Sequence, residues 1–446
     1  MSGLRARTRR VAAGLGGQAV WSILDQAVSS LGTLVLSVAV AQRSDVAGFG
    51  AFAAMITVYA LVLTGSRAFV SMPYLMRAAD PDGADPDGAD RAGGRGLVAG
   101  TLGAAVLAAA PVSGGLLVAA AVTAAVAGGP LPALLAVLAA AMPFLLLQDA
   151  YRFVLRQRED SRGVAVNDTI WTAVQAAASV SLVTVPALGP AGDTAIAHVG
   201  AWVLGVVVAV GHGLRRTGTA PSLAGGWRFL RRTRRQGVPL LVEAFAIAGS
   251  NSTGQFAIGA VGGLAALAPI KGAHVALGPV NVVNGGLVFL ATPIVLRAGA
   301  TDRRRLLGLC GAFGLVIGAV SAAAGLLLLA VPAEVGALLL GQTWSEARAA
   351  VLPTALALGA YGAQTAAMLG FRAHRITTRT MVLRLVTFPV PAVAGVVGLF
   401  VNGPVGAAYG LFAAASVTAA LLWTVLVRLP AAPPVPAGDG DRVAAT

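Results

Sequence analysis

Gln18-Ala19-Val20-Trp21-Ser22-Ile23-Leu24-Asp25 opens the first long apolar run of the chain. Gln236-Gly237-Val238-Pro239-Leu240-Leu241-Val242-Glu243 opens a later one at an offset of 218. Each begins with Gln and sets a carboxylate seven residues on, inside a run that otherwise suits lipid. Pro73-Tyr74-Leu75-Met76-Arg77 is answered by Pro293-Ile294-Val295-Leu296-Arg297 at an offset of 220, and Arg158 and Arg162 by Arg375 and Arg379 at 217. Three echoes at nearly one offset predict a duplication: an all-α polytopic membrane protein of two six-helix bundles related by a parallel repeat about the membrane normal.

Composition supports the lipid setting. Of 446 residues, 57% are hydrophobic and 11% charged, where a soluble domain carries about 25% charged; the mean hydropathy is +0.80. A hydrocarbon core about 30 Å thick takes about 20 apolar residues per helix. About twelve such runs are expected, near 18–41, 47–66, 97–118, 131–151, 163–186, 194–213, 237–260, 266–296, 306–331, 348–371, 381–401 and 403–427. With the N-terminus inside, all of the 32 Lys and Arg residues except Arg43, Lys271 and Arg348 fall on the cytoplasmic side. That asymmetry follows the positive-inside rule and predicts that both termini are cytoplasmic. It assigns the net charge of +14 to orientation and membrane lipids; no nucleic-acid partner is expected. The lone Cys310 cannot form a disulfide within the chain. Arg5, Arg7, Arg9 and Arg10 precede a full-length span, which reads as a retained start helix.

The expected domains are a basic cytoplasmic N-terminus (1–17), a first bundle (18–213), a basic linker (214–236), a second bundle (237–428) and a disordered tail (429–446). Trp227, Phe229 and Leu230 interleave with Arg228, Arg231, Arg232, Arg234 and Arg235 in the linker. That pattern fits an amphipathic helix on the inner leaflet, or equally a linker kept inside by charge. The repeated Asp-Pro-Asp-Gly-Ala of 80–89 is expected as a solvated, disordered loop, since it lacks the bidentate Glu of a calcium loop.

A charge at the bilayer centre costs about 2.5–3.5 kcal/mol, so Asp25 and Glu243 should face the bundle interior. Two roles stay open for them: proton or ion coupling, or structural support by capping a broken helix or pairing with Arg. Arg67 is expected at the inner end of the second span. Lys271, the only lysine, is followed at helical spacing by His274, Asn281 and Asn284. Read as one face, they line a cavity for an anionic, hydroxyl-rich ligand; the alternative is a Lys271 that snorkels to the headgroups with Asn residues joining helices. Gln148, Asp149, Arg152, Asn167 and Asp168 read as a polar cluster or cytoplasmic gate. No Walker A loop, HExxH or nucleophile elbow with triad partners occurs, so neither an enzyme nor a cofactor or metal site is expected.

Trp21-Ser-Ile-Leu-Asp25-Gln26 after Gly17-Gln18, then Val40-Ala41, Phe49-Gly50 and Ser66-Arg67-Ala68, resemble the first spans of actinobacterial polysaccharide-biosynthesis membrane proteins. Lys271-Gly-Ala-His-Val-Ala-Leu-Gly278-Pro279-Val-Asn281 is similar to a helix of that family in which Arg stands at the Lys271 position. These are Wzx-like flippases of the multidrug/oligosaccharidyl-lipid/polysaccharide (MOP) exporter superfamily. The resemblance implies alternating access around a central cavity and flipping of a lipid-linked oligosaccharide of the polyprenyl pyrophosphate type for exopolysaccharide or cell-wall assembly. Glycosyltransferases and a glycan polymerase are the implied partners, and Arg67 and Lys271 the residues for the pyrophosphate. The competing readings are a drug/cation antiporter of the same superfamily and a non-transporting component of a glycan-assembly complex.

Overall fold

A computed structural model describes residues 2–78, 94–126, 128–185, 194–299, 303–374 and 378–429. Among them every regular element is helical. The Asp-Pro-rich insert, Arg375 and the tail from Pro430 lie outside the described residues, as do the side chains of Gln18, Arg297 and Arg379.

The first half comprises α1 (Ser2–Arg43), α2 (Val46–Ser66), α3 (Met72–Ala78), α4 (Arg95–Val126), α5 (Leu131–Gln157), α6 (Ser161–Thr184) and α7 (Thr194–Thr217). The second comprises α8 (Leu223–Gly262), α9 (Ala268–Ala276), α10 (Gly278–Gly299), α11 (Arg303–Leu329), a short α12 (Ala333–Leu340), α13 (Trp344–Ala373), α14 (Thr378–Thr387) and α15 (Val390–Arg428). Packing repeats between the halves. α1 lies on α6 as α8 lies on α15; α4 on α5 as α11 on α13; α5 on α7 as α13 on α15.

Several helices differ from their expected bounds. α1 begins at Ser2, so residues 2–17 of the basic segment are the start of the first helix rather than a separate stretch. At 1.5 Å per residue its 42 residues reach well past a bilayer core. α2 does not stop before Arg67. Arg67–Ser71 forms a π-helical turn that leads straight into α3. The wider i→i+5 spacing, with the Met72 N–H bonded to the Arg67 carbonyl, relieves the clash and missing donor that Pro73 brings. The linker is likewise no separate element: α8 runs unbroken from Leu223 through Pro239 to Gly262. Gly226, Phe229, Thr233 and Gly237 are buried while Trp227 and the arginines stay exposed; this buried stripe at helical spacing fastens the basic segment to α4 and to the π turn of the first half.

The expected span 266–296 is broken at Leu277. Pro279 lacks the N–H that would continue the ladder, so one helix ends and another starts with Pro in its first turn. Within α15 the last two expected spans are two helical segments folded back on each other at Asn402-Gly403, where both residues leave helical backbone angles and Gly403 takes φ +57. Among the described residues, seven stretches are long and apolar enough to cross a membrane.

Candidate functional site

On α5, Asp149, Arg152 and Arg156 stand at i, i+3 and i+7 and share one face. Arg67 reaches that face from the π turn, Asp25 from α1 and Asp168 from α6. Arg67 grips Asp149 bidentately, with Nε 3.1 Å from both carboxylate oxygens and Nη2 2.7 Å from Oδ1. Arg152 stands 3.2 Å from Asp25 and 2.9 Å from Asp168. Arg156 donates to Asp25 at 2.8 Å. Gln148 donates to Asn167 at 2.9 Å and to Asp168 at 3.2 Å, and Asn167 donates to the Ala209 carbonyl at 2.7 Å. Phe153 lies under the guanidinium groups of both Arg67 and Arg156.

Three guanidinium groups thus meet three carboxylates, and the network balances its charge. Burial makes that balance necessary, because an unpaired charge there would carry a large desolvation cost. The expected cluster of Asp149, Arg152 and Asp168 is brought together, and Asp25 and Arg67 join it. Arg156 went unnoticed in the sequence, although its place one turn after Arg152 signals the same face. Arg67 is mid-helix and already paired, not a free cation at a helix end. Asp25 is buried between two arginines, whereas its echo Glu243 is half-buried and has no ion pair among the described residues.

One chamber adjoins this network, and a second adjoins the first. One, of about 380 Å³, is lined by Arg67, Arg152, Arg156 and Asp168 together with Gln26, Tyr59, Trp171, Gln175 and Trp202. The other, of about 370 Å³, lies between the halves and is lined by Ser30, Ser37, Thr57, Gln255, Lys271, His274 and Asn281. Thr33, Ile56 and Ala60 line both. Chambers of this size fall within the usual range for small-molecule sites.

Lys271 and His274 face the second chamber, as Ile270 does, while Gly272 packs α9 against Ala347 of α13. Among the described residues no carboxylate pairs with Lys271. His274 Nδ1 lies 2.9 Å from the Ile270 carbonyl, so Nδ1 carries the proton and Nε2 stays available. Thr57 donates across the halves to Gln255 Oε1 at 2.7 Å. Asn281 is exposed to the chamber, but Asn284 is not part of it: the break at Leu277 turns α10, and Asn284 donates to Ser321 of α11 at 3.3 Å. The four-residue stripe is therefore a three-residue one.

In the second half, Gln364 and Arg384 occupy the places of Gln148 and Asp168 at an offset of 216. Arg384 donates to Gln364 Oε1 at 2.9 Å. Among the described residues no group of three or more His, Cys, Asp or Glu side chains is placed to hold a metal ion.

No family model matches the chain, and no curated protein matches it. Solved structures do. An inward-facing multidrug resistance MATE family transporter of the MOP superfamily superposes with a TM-score of 0.64 at 14% identity, over 91% of this chain and 97% of that one. The lipid II flippase MurJ in an inward closed conformation gives 0.65 at 10% identity, over 93% and 88%. A MOP superfamily transporter from Pyrococcus furiosus, described by the reverse polarity of its binding pocket, gives 0.58 at 14% identity, over 93% and 94%. These neighbours are transporters rather than enzymes, and the chain shares the fold of the MOP superfamily.

Proposed function

We propose that this protein is a membrane transporter that flips a lipid-linked oligosaccharide, or exports a polysaccharide precursor, across the bacterial cytoplasmic membrane by alternating access. The observation that carries this reading is Lys271. Among the described residues it has no carboxylate partner, and it faces a chamber between the halves of a fold shared with a lipid II flippase. A pyrophosphate supplies the missing charge, with His274, Gln255 and Asn281 as hydrogen-bonding partners. The lipid tail remains in the bilayer. Arg67 plays a secondary part, since Asp149 already occupies two of its donors. The asymmetry of basic residues supports cytoplasmic termini, and the substrate class implies glycosyltransferases and a glycan polymerase as partners. Asp149, Arg152 and Asp168, with Asp25, act as a latch joining α1, α5 and α6; any ion coupling falls to Glu243 rather than to the paired Asp25.

The drug/cation antiporter is the second reading, favoured by the MATE neighbours. The pairing of Asp25, Asp149 and Asp168 with arginines speaks against it, because a cationic drug would find no free carboxylate among them. The test is leaflet accessibility of a lipid-linked glycan in proteoliposomes. Translocation by the wild type that slows at least tenfold in Lys271→Ala is the expected result. Absence of translocation together with uptake of cationic dyes would overturn the proposal in favour of the antiporter; absence of both would favour a non-transporting role.

A further inference from the structure

The two chambers differ in charge. In the one beside the ion-pair network each guanidinium already has a carboxylate: Arg67 has Asp149, Arg152 has Asp25 and Asp168, and Arg156 has Asp25. Asp168 lines the chamber itself, while Asp25 and Asp149 stand outside its lining and neutralise the arginines from behind, so a phosphate gains no unpaired cation there. A cationic drug would meet three guanidinium groups and no spare acid. The chamber suits a ligand that is neutral but rich in hydrogen-bonding groups.

Its wall narrows the class further. Tyr59 meets Trp202 edge to face, with ring centroids 5.0 Å apart and planes at 86°. Trp171 lies 5.9 Å from Trp202, and its Nε1 donates to the Trp202 carbonyl at 3.2 Å. The Trp171 indole rests on α7 at Gly205, where a Cβ would come within 2.7 Å of the ring. The indole is thereby held rigidly while remaining only half-buried, and Trp171 lines the chamber. Around this platform stand the Gln26 and Gln175 amides and the half-exposed tips of Arg67 and Arg156, whose side chains are 37% and 42% exposed. Arg67 uses only Nε and Nη2 on Asp149, so Nη1 still has donors to give. A pyranose ring has apolar C–H faces and a rim of hydroxyls. A rigid aromatic plane bordered by amides and guanidinium groups matches both.

We propose that this chamber is a saccharide subsite, with Trp171 as the stacking platform for an uncharged pyranose ring. The inference rests on the reading of the protein as a carrier of lipid-linked glycans, and it divides the ligand between the chambers. The pyrophosphate sits at Lys271, the sugar lies against Trp171, and the two meet across Thr33, Ile56 and Ala60, which line both spaces.

The test measures binding to full-length protein in nanodiscs. Two probes are used: a short-chain polyprenyl pyrophosphate without sugar, and the same lipid carrying a neutral hexose. The wild type is expected to bind the sugar-bearing lipid more tightly. Trp171→Ala should weaken that lipid about tenfold and leave the bare pyrophosphate lipid unchanged. Trp171→Phe, which keeps a ring, should stay within about threefold of wild type. Lys271→Ala should weaken both lipids. Equal loss for both lipids in Trp171→Ala, or no loss for either, overturns the saccharide subsite while leaving the glycan-lipid reading standing. A wild type that binds neither lipid overturns that reading, and this inference with it.

Discussion

Arg384 donates to Gln364 at 2.9 Å in the second half, where 216 positions earlier Gln148 donates to Asp168 at 3.2 Å in the first. The glutamine is common to both halves. The group it meets has the opposite charge, and the amide turns its oxygen rather than its nitrogen toward it. Duplication thus kept the scaffold and reversed the electrostatics. The first half surrounds this point with further charges of both signs, whereas Arg384 has no carboxylate partner among the described residues.

Gln364 is therefore the main polar partner of a buried cation. Gln364→Leu should destabilise the protein by about 1.5–3 kcal/mol, the usual worth of a hydrogen bond to a charged group, seen as a lower melting temperature in detergent. Gln364→Glu, which offers a full counter-charge, should melt at or above the wild-type temperature. A wild-type melting curve for Gln364→Leu would mean that Arg384 draws its support from elsewhere.

Asp25 and Glu243 are equivalent in sequence but not in environment. Removing the charge of Asp25 leaves Arg152, whose side chain is 10% exposed, short of one partner. Asp25→Asn should cost about 3–5 kcal/mol, as breaking a buried ion pair does. Glu243→Gln should change stability little, because no pair is lost. Thermal unfolding of both variants in one detergent tests the contrast, and equal losses would contradict it. If coupling resides in Glu243, only Glu243→Gln should change the pH dependence of transport at unchanged stability.

The duplication was legible because its markers are local: Gln18 and Gln236, Asp25 and Glu243, Pro73 and Pro293 each sit at a fixed place in an apolar run. Asp149 and Arg152 could be grouped because they share one helix. Their ties to Asp25 on α1 and Arg67 on the π turn could not, since pairing across helices depends on how the bundle closes. Arg67 was misplaced because Gly65-Ser66 reads as a helix end, whereas the π turn carries the helix past Pro73. Asn284 was misassigned because helical spacing was extended across Gly278-Pro279, where Pro279 ends the ladder. Trp171 and Trp202 gave no signal, since an aromatic in a span faces lipid, core or cavity with the same spacing.

Outside the spans, Asp160 caps α6 through the Gly163 N–H at 3.0 Å and is held by Arg216, with Nε at 2.8 Å and Nη2 at 3.2 Å. The hydrogen bond from Arg216, more than any other influence, holds the Asp160 carboxyl below its ordinary value of 3.8. A carboxylate with a depressed folded-state value stabilises fully above its unfolded value and loses that contribution as pH falls through the folded one. Asp160→Asn should thus melt below the wild type at pH 6, and the gap should shrink as pH falls under about 4. A gap independent of pH would assign the loss to the cap alone.

Gly50 brings the halves together backbone to backbone. A Cβ there would fall 1.8 Å from the Leu264 carbonyl oxygen, so α2 and the turn at Leu264–Leu267 touch only because residue 50 has no side chain. Gln42 adds a hydrogen bond to the Leu338 carbonyl at the same end of α1. Gly50→Ala must part these elements, since both sides of the contact are backbone and neither can rotate away. The expected consequence is greater access to the chamber of Lys271 from that end. Cys310 is the only native cysteine and is buried, so a reporter cysteine introduced by Ser37→Cys in a Cys310→Ser background can be read without interference. Ser37 lines that chamber. Labelling by a membrane-impermeant thiol reagent should rise several-fold when Gly50→Ala is added, and flipping should slow because the end no longer closes. Unchanged labelling would mean that the contact at Gly50 does not control entry.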